Sequence, residues 1–343
     1  MRTRCHRVHG RRRHGRRWFW LSALVFAVAL TGSAAASGNR PPREEPIMLR
    51  TFPSPDTGPM AFNAICYGPH RDGQRPGGPE PSAAQLREDL RVLSEHWNQV
   101  RLYGSVGFAE SFLSIIREDG FAVKVLLGVW IAPDDSLANR SEIEGAVRLA
   151  AAYPEIVAAV CVGNETQVFW SDHVCPPELL IEALREMRAR TTVPVTTADD
   201  FNFWNKPESR AVAAEVDFIT LHAHPLWNGR QLDEAMPWLQ EQVAVVVALH
   251  PDRPVVIGET GWATMRHNEG EQARLIKGRV GETEQKVFHD AARAWADASR
   301  TLMYFFEAFD ENWKGGEHPD EVEKHWGLLN VDRSPKAALR GDG

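Results

Sequence analysis

The run VAAVCVGNE, residues 157–165, is a string of small and apolar residues that stops at Asn164 and Glu165. A strand without polar alternation is one buried on both faces, as in parallel sheets covered by helices. Seven other runs share its character: AFNAICYGP (61–69), QVRLYG (99–104), AVKVLLGVW (122–130), PVTTAD (194–199), DFITLHAHP (217–225), PVVIGET (254–260) and LMYFFEAFDE (302–311). Helical patterns lie between them. Leu86, Leu90 and Leu93 fall at helical spacing within 82–97 behind Ser82 as a cap, and further helices are expected over 108–118, 176–190, 207–215, 235–249 and 283–299. Ser141 with Glu144 reads as a capping box opening one more. Eight strand and helix alternations over about 280 residues favour a closed (β/α)8 TIM barrel, a single catalytic domain, over an open doubly wound sheet. No GxGxxG follows the first strand, which speaks against a dinucleotide fold.

Polar and aromatic residues gather at the carboxyl ends of these runs, where barrel enzymes place their chemistry. Tyr67, Arg101 with Tyr103, Trp130, Asn164 with Glu165, Asp199, His222 with His224, Glu259, and Glu307 with Asp310 all stand there. A barrel serving only as scaffold has no need of that pattern.

The chain has 343 residues, and its beginning reads as a targeting segment. Eight arginines lie between Arg2 and Arg17 without an acid, followed by the apolar run Trp18 to Leu30 and the small-residue string 33–37. Residues 1–36 are therefore expected to be a cleaved signal peptide or a retained membrane anchor, with the domain exported either way. Arg16-Arg17-Trp18-Phe19 resembles a twin-arginine export signal. Residues 37–60, rich in Pro, Gly and charge, read as a linker to a domain over 61–343.

Removing the leader arginines takes the formal charge from −7 to −15. Such a domain is ill suited to nucleic acid or to acidic polymers, and it meets a membrane only through its N-terminal segment. A neutral ligand suits it better. Of four cysteines, Cys5 lies in the leader, so no even disulfide framework remains; Cys66 and Cys161 read as buried small hydrophobes.

Glu165 and Glu259 end the fourth and seventh runs, and two carboxylates at strand ends can face each other across a barrel mouth. Glycoside hydrolysis needs such a pair. VGNE (162–165) and GETGW (258–262), with RLYG (101–104) and FEAFDENWK (306–314), resemble glycoside hydrolase family 17, the β-1,3-glucanase and glucanosyltransferase family. The likeness runs from YGP (67–69) to HWGLLN (325–330) and suggests a bacterial-type member.

That resemblance implies a retaining enzyme acting on β-1,3-glucan through a covalent glycosyl-enzyme intermediate, with Glu165 as acid/base and Glu259 as nucleophile. Asn164 would bond the 2-hydroxyl of the sugar at the cleavage site, and no metal or organic cofactor is required. His224 stands where plant members usually carry a tyrosine that holds the nucleophile. Ala263 and Asn312 replace prolines expected in the two later motifs, which bears on loop shape.

Tyr67, Arg101, Tyr103, Glu307 and Lys314 are further candidates for the substrate cleft, although Glu307 and Lys314 read equally well as an ion pair. Trp130, Trp262 and Trp313 follow or end strands at the active face and are expected to stack on sugar rings. Trp97, Trp238 and Trp295 lie in helical stretches and are expected in the core. Three other readings stay open: a glucan-remodelling transglycosylase, an inactive carbohydrate-binding barrel, and a metallohydrolase using His222 and His224.

Overall fold

The structure, a computed structural model, describes residues 46–52 and 62–340. The leader and most of the expected linker lie outside the described residues. Eight parallel strands close into a barrel in sequence order. They are β1 (Asn63–Cys66), β2 (Gln99–Arg101), β3 (Lys124–Val129), β4 (Val157–Asn164), β5 (Val195–Asp200), β6 (Ile219–His222), β7 (Val255–Thr260) and β8 (Met303–Phe305). The barrel expected from the alternation of strands and helices is present.

The longer helices pack outside it: α1 (Ala83–His96), α2 (Ala109–Asp119), α3 (Ser136–Ala152), α4 (Pro177–Arg190), α7 (Leu232–Leu249) and α9 (Glu282–Ser299). Short α5 (Phe201–Trp204), α6 (Arg210–Ala213) and α8 (Gly270–Leu275) complete the set among the described residues. Ser82 caps α1 in a capping box with Gln85. The expected box at Ser141 is not a helix start. Asp135 caps α3 by accepting from the Ala138 amide, and Ser141 sits inside the helix with its hydroxyl on the Leu137 carbonyl. Ser-x-x-Glu spacing also arises within a helix, where residues three apart share a face.

Apolar packing divides as the barrel demands. Ala64, Cys66, Leu126, Ala159, Cys161, Ala198 and Tyr304 belong to the smaller cluster, and the larger one joins strands to helices through residues such as Leu86, Leu127, Leu184 and Phe288. Cys66 and Cys161 are buried free thiols, and burial pushes their pKa values up to about 12 and about 11. They are packing groups and not thiolates. Trp97 and Trp238 are buried as expected, and Trp295 packs against the larger cluster.

Within the stretch expected as linker, residues 46–52 lie against the barrel. The Arg50 amide donates to Asp217 at 2.7 Å, and its guanidinium donates to the Val193 and Arg188 carbonyls. Phe52 meets Phe218 edge-on at 4.9 Å. Among the described residues, no helix is long and apolar enough to cross a membrane.

Candidate active site

Register shifts in the barrel fall between Cys161 and Asn164, between Leu221 and His222, and between Ile257 and Thr260. Such irregularities re-aim side chains at strand ends. Here they set Asn164, Glu165, His222 and Glu259 around one point. Glu165 itself has a left-handed φ of 52°, after Gly163 at 80°. A non-glycine residue pays about 1–3 kcal/mol for such a backbone, and the Glu165 amide is held by the Ala198 carbonyl at 2.9 Å. At Gly258 a Cβ would overlap the Thr220 methyl and lie 3.1 Å from His222 Nε2, so glycine before Glu259 leaves both side chains their place.

The centre of the site is Arg101, a guanidinium buried among the strand ends. Nη1 shares its two protons among Glu259 Oε1 at 2.8 Å, the Gly258 carbonyl at 2.9 Å and His222 Nε2 at 2.8 Å. Nη2 donates to Asn164 Oδ1 at 2.6 Å. A guanidinium only donates, so His222 Nε2 accepts and the ring proton sits on Nδ1. Nδ1 then donates to Glu165 Oε1 at 3.0 Å. Burial is the main cause that lowers the His222 pKa, to about 3, which keeps this ring neutral.

Glu259 receives Tyr103 Oη at 2.8 Å on the same Oε1, and His224 Nε2 stands 3.3 Å from Oε2. Burial alone would raise the Glu259 carboxyl. The imidazoles of His222 and His224 and the Arg101 charge overcome it and hold the group well below the usual carboxylate range. Glu165 goes the other way: burial first, then the Glu259 charge, push its pKa well above the usual range. Two carboxyls with opposite shifts are able to act as acid and base in one site. One carboxyl oxygen each from Glu165 and Glu259, with a nitrogen of His222, all lie within 4.8 Å of one another. Arg101 already supplies the cation between Glu259 and His222, so the H-x-H pair serves carboxylates here.

The other candidates divide. Tyr67 is buried away from this cluster, its hydroxyl on Asp89 at 2.9 Å and its ring stacked on Phe112. Trp262 is wholly buried, its indole N–H on the Arg279 carbonyl at 2.9 Å and its ring against Phe288. Neither presents a face to a sugar, so both expectations are corrected. A strand-end position does not say which way a side chain turns.

Glu307 and Lys314 form an ion pair at 2.6 Å, which Lys314 extends to Glu311 at 2.9 Å. Glu311 in turn receives His70 and the Trp313 indole N–H at 3.0 Å. Trp313 is thereby fixed by one edge while 40% exposed. Trp130 is half-buried at the end of β3.

Glu323 was not anticipated. It accepts from the Trp227 indole N–H at 3.0 Å; burial raises its pKa, while Lys314 and His224 act against that rise. It lies in a short 3-10 turn, Val322–Lys324, where no periodicity marks it.

Residues 64–327 match the family model described as the BtgE/BtgC glycoside hydrolase domain. The chain is 28% identical to a glucan 1,3-beta-glucosidase of Arthroderma benhamiae, over 77% of this chain and 86% of the relative. Among solved structures it is similar to an endo-laminarinase from Formosa Hel1_33_131, with a TM-score of 0.72 and 25% identity over 81% of this chain and 85% of that one. It is also similar to a glycoside hydrolase family 17 beta-1,3-glucanosyltransferase from Rhizomucor miehei, with a TM-score of 0.67 and 26% identity over 82% and 98%. With the paired glutamates inside the matched stretch, the chain belongs to the BtgE/BtgC glycoside hydrolase domain family.

Proposed function

We propose that this chain is a retaining glycoside hydrolase of β-1,3-glucan, of the family 17 type, in which Glu259 is the nucleophile and Glu165 the acid/base. The spacing of the two carboxyls carries the reading. One oxygen of each carboxyl lies within 4.8 Å of the other, which fits the ~5 to 5.5 Å separation of a retaining pair better than the ~6.5 to 9.5 Å across which an inverting pair holds a water. The names of the relatives, a glucan 1,3-beta-glucosidase and an endo-laminarinase, support the substrate.

Glu259 Oε1 takes two strong donors, so Oε2, beside His224, is the oxygen with a lone pair free to attack. It bonds to the anomeric carbon as the glycosidic bond breaks. The Glu165 proton passes to the departing oxygen. Glu165, now a carboxylate, then takes a proton from water, whose oxygen displaces Glu259. Asn164 turns its Oδ1 to Arg101, which leaves its amide N–H groups for a sugar hydroxyl. A sugar hydroxyl in place of water gives transfer, the second reading, which the likeness to a glucanosyltransferase favours.

The leader supports export, and Arg16-Arg17 supports a bacterial-type route. Cell fractionation with the N-terminus sequenced tests this, and an intact cytoplasmic protein would refute it. The mechanism is tested by proton NMR of the first products from laminari-oligosaccharides. A β-anomer is expected, and an initial α-anomer would overturn the assignment.

A further inference from the structure

Asp199, the next-to-last residue of β5, is a carboxyl that the reaction described above leaves unused. It is wholly buried, so it touches no substrate. Burial pushes its pKa well above the usual range, and no cation is among the main influences on it: the Asp200 and Gln167 amides act against the rise, and the Glu165 and Asp200 carboxyls add to it. A buried carboxyl without a cation is costly to keep. Its bonds show what it holds.

Both of its oxygens accept from the main chain. Oδ1 takes the Asp200 amide at 2.9 Å, which fixes the direction of the carboxyl, and Oδ2 takes the Gln167 amide at 2.8 Å. Gln167 follows Glu165 by two residues, and the turn between them starts from the left-handed backbone of Glu165, which disfavours any residue with a Cβ. The chain enters this turn where the pairing of β4 with β5 shifts register, between Cys161 and Asn164. On the near side the Glu165 amide still bonds to the Ala198 carbonyl at 2.9 Å. On the far side the ladder has ended, and the Asp199 side chain takes the place of a strand carbonyl. The Thr166 carbonyl accepts from the Cys175 amide at 3.0 Å and from Gln167 Nε2 at 2.8 Å, but those bonds run within the loop and do not join it to the barrel.

We propose that Asp199 is the positioning residue of the acid/base: through the Gln167 amide it holds the left-handed turn that aims the Glu165 carboxyl at the glycosidic oxygen. The inference rests on the glycosidase reading above. It confines Asp199 to one half of the chemistry. Proton delivery depends on where the Glu165 carboxyl stands, and a displacement of about 1 Å costs on the order of 100-fold in rate. Attack by Glu259 does not depend on this turn, because Arg101, Tyr103 and His224 hold that carboxylate from other strands and loops.

Leaving groups separate the two halves. The oxygen of a departing sugar needs a proton, whereas dinitrophenolate leaves as the anion. Asp199→Ala should lower kcat/KM for a laminari-oligosaccharide on the order of 100-fold and that for a dinitrophenyl β-laminaribioside by less than about threefold. Asp199→Asn keeps the shape but turns an NH2 group toward one of the two amides, so it should show the same split at a smaller size, roughly three- to tenfold on the oligosaccharide. Asp217→Asn is the control. That carboxyl is equally buried at the other end of β5, where it accepts from the Val195 amide at 2.8 Å, and its loss should change both substrates alike. Equal falls on both substrates in either Asp199 variant, or a fall on neither, would overturn the positioning role. A Glu165→Ala variant that itself shows no such split would instead overturn the glycosidase reading.

Discussion

His222 donates from Nδ1 to Glu165 Oε1 at 3.0 Å, and that one contact ties the proposed proton donor to the support of the proposed nucleophile. The ring's other nitrogen accepts from Arg101, and Arg101 donates to Glu259. A neutral imidazole can join two carboxyls without neutralising either, which preserves their opposite charge states. An imidazolium there would favour ionised Glu165 and remove the acid.

Because the Glu259 charge contributes to the raised pKa of Glu165, Glu259→Gln should lower the Glu165 pKa, read by carbon-13 NMR of labelled glutamates. Burial remains, so the value should stay above that of an exposed glutamate, ~4.3. Turnover should fall by orders of magnitude. In the wild type, activity needs Glu259 ionised and Glu165 protonated. The lowered Glu259 pKa keeps activity present in acid below the ordinary range, and activity is lost as pH rises through the raised Glu165 value. A kcat/KM profile whose alkaline limb falls at an ordinary glutamate pKa would contradict this.

Some of this architecture was legible in residue order and some was not. Glu165 and Glu259 end unbroken apolar runs, and a chain buried on both faces has only its end to offer to solvent. The same logic failed at Tyr67 and Trp262, because it locates a residue along the barrel axis but not the direction of its side chain. Tyr67 turns to Asp89 beneath α1, and Trp262 folds back onto Phe288 of α9. His222 offered the pattern of a metal ligand. What makes it a bridge is Arg101, brought beside it across the barrel from β2, a contact that no local spacing encodes. Glu323 comes from an irregular turn whose place is set by long-range bonds of its neighbours.

Lys314 is the only cation contacting both Glu307 and Glu311 among the described ion pairs. Burial raises the Glu307 pKa despite that contact. Glu311 is held at about 2, where Lys314 and His70 outweigh burial. Lys314→Met should leave two buried acids facing each other and destabilise the protein by ~3–5 kcal/mol in urea unfolding. Glu311 would lose its cation and Trp313 the rigidity of its anchor. The loss should shrink as pH falls, because protonation of the acids removes the uncompensated charge. A pH-independent loss would mean that Lys314 acts by packing alone.

Trp262 and Trp313 looked alike as candidate sugar platforms, and their surroundings predict opposite outcomes. Trp262 is wholly buried with its indole N–H bonded, so Trp262→Ala should open a cavity and cost ~3–5 kcal/mol of stability. Folded molecules of that variant should bind laminari-oligosaccharides about as well as before, and Trp262→Phe should recover much of the stability. Trp313 is exposed on one face, with its edge fixed by Glu311. Trp313→Ala should leave unfolding little changed and weaken binding by ~0.5–1.5 kcal/mol, the worth of one aromatic contact. Calorimetry in a Glu165→Gln background, where the oligosaccharide survives the titration, separates the two. Equal affinity losses at both positions would refute the division, because a buried ring with no open face has no means of touching the ligand.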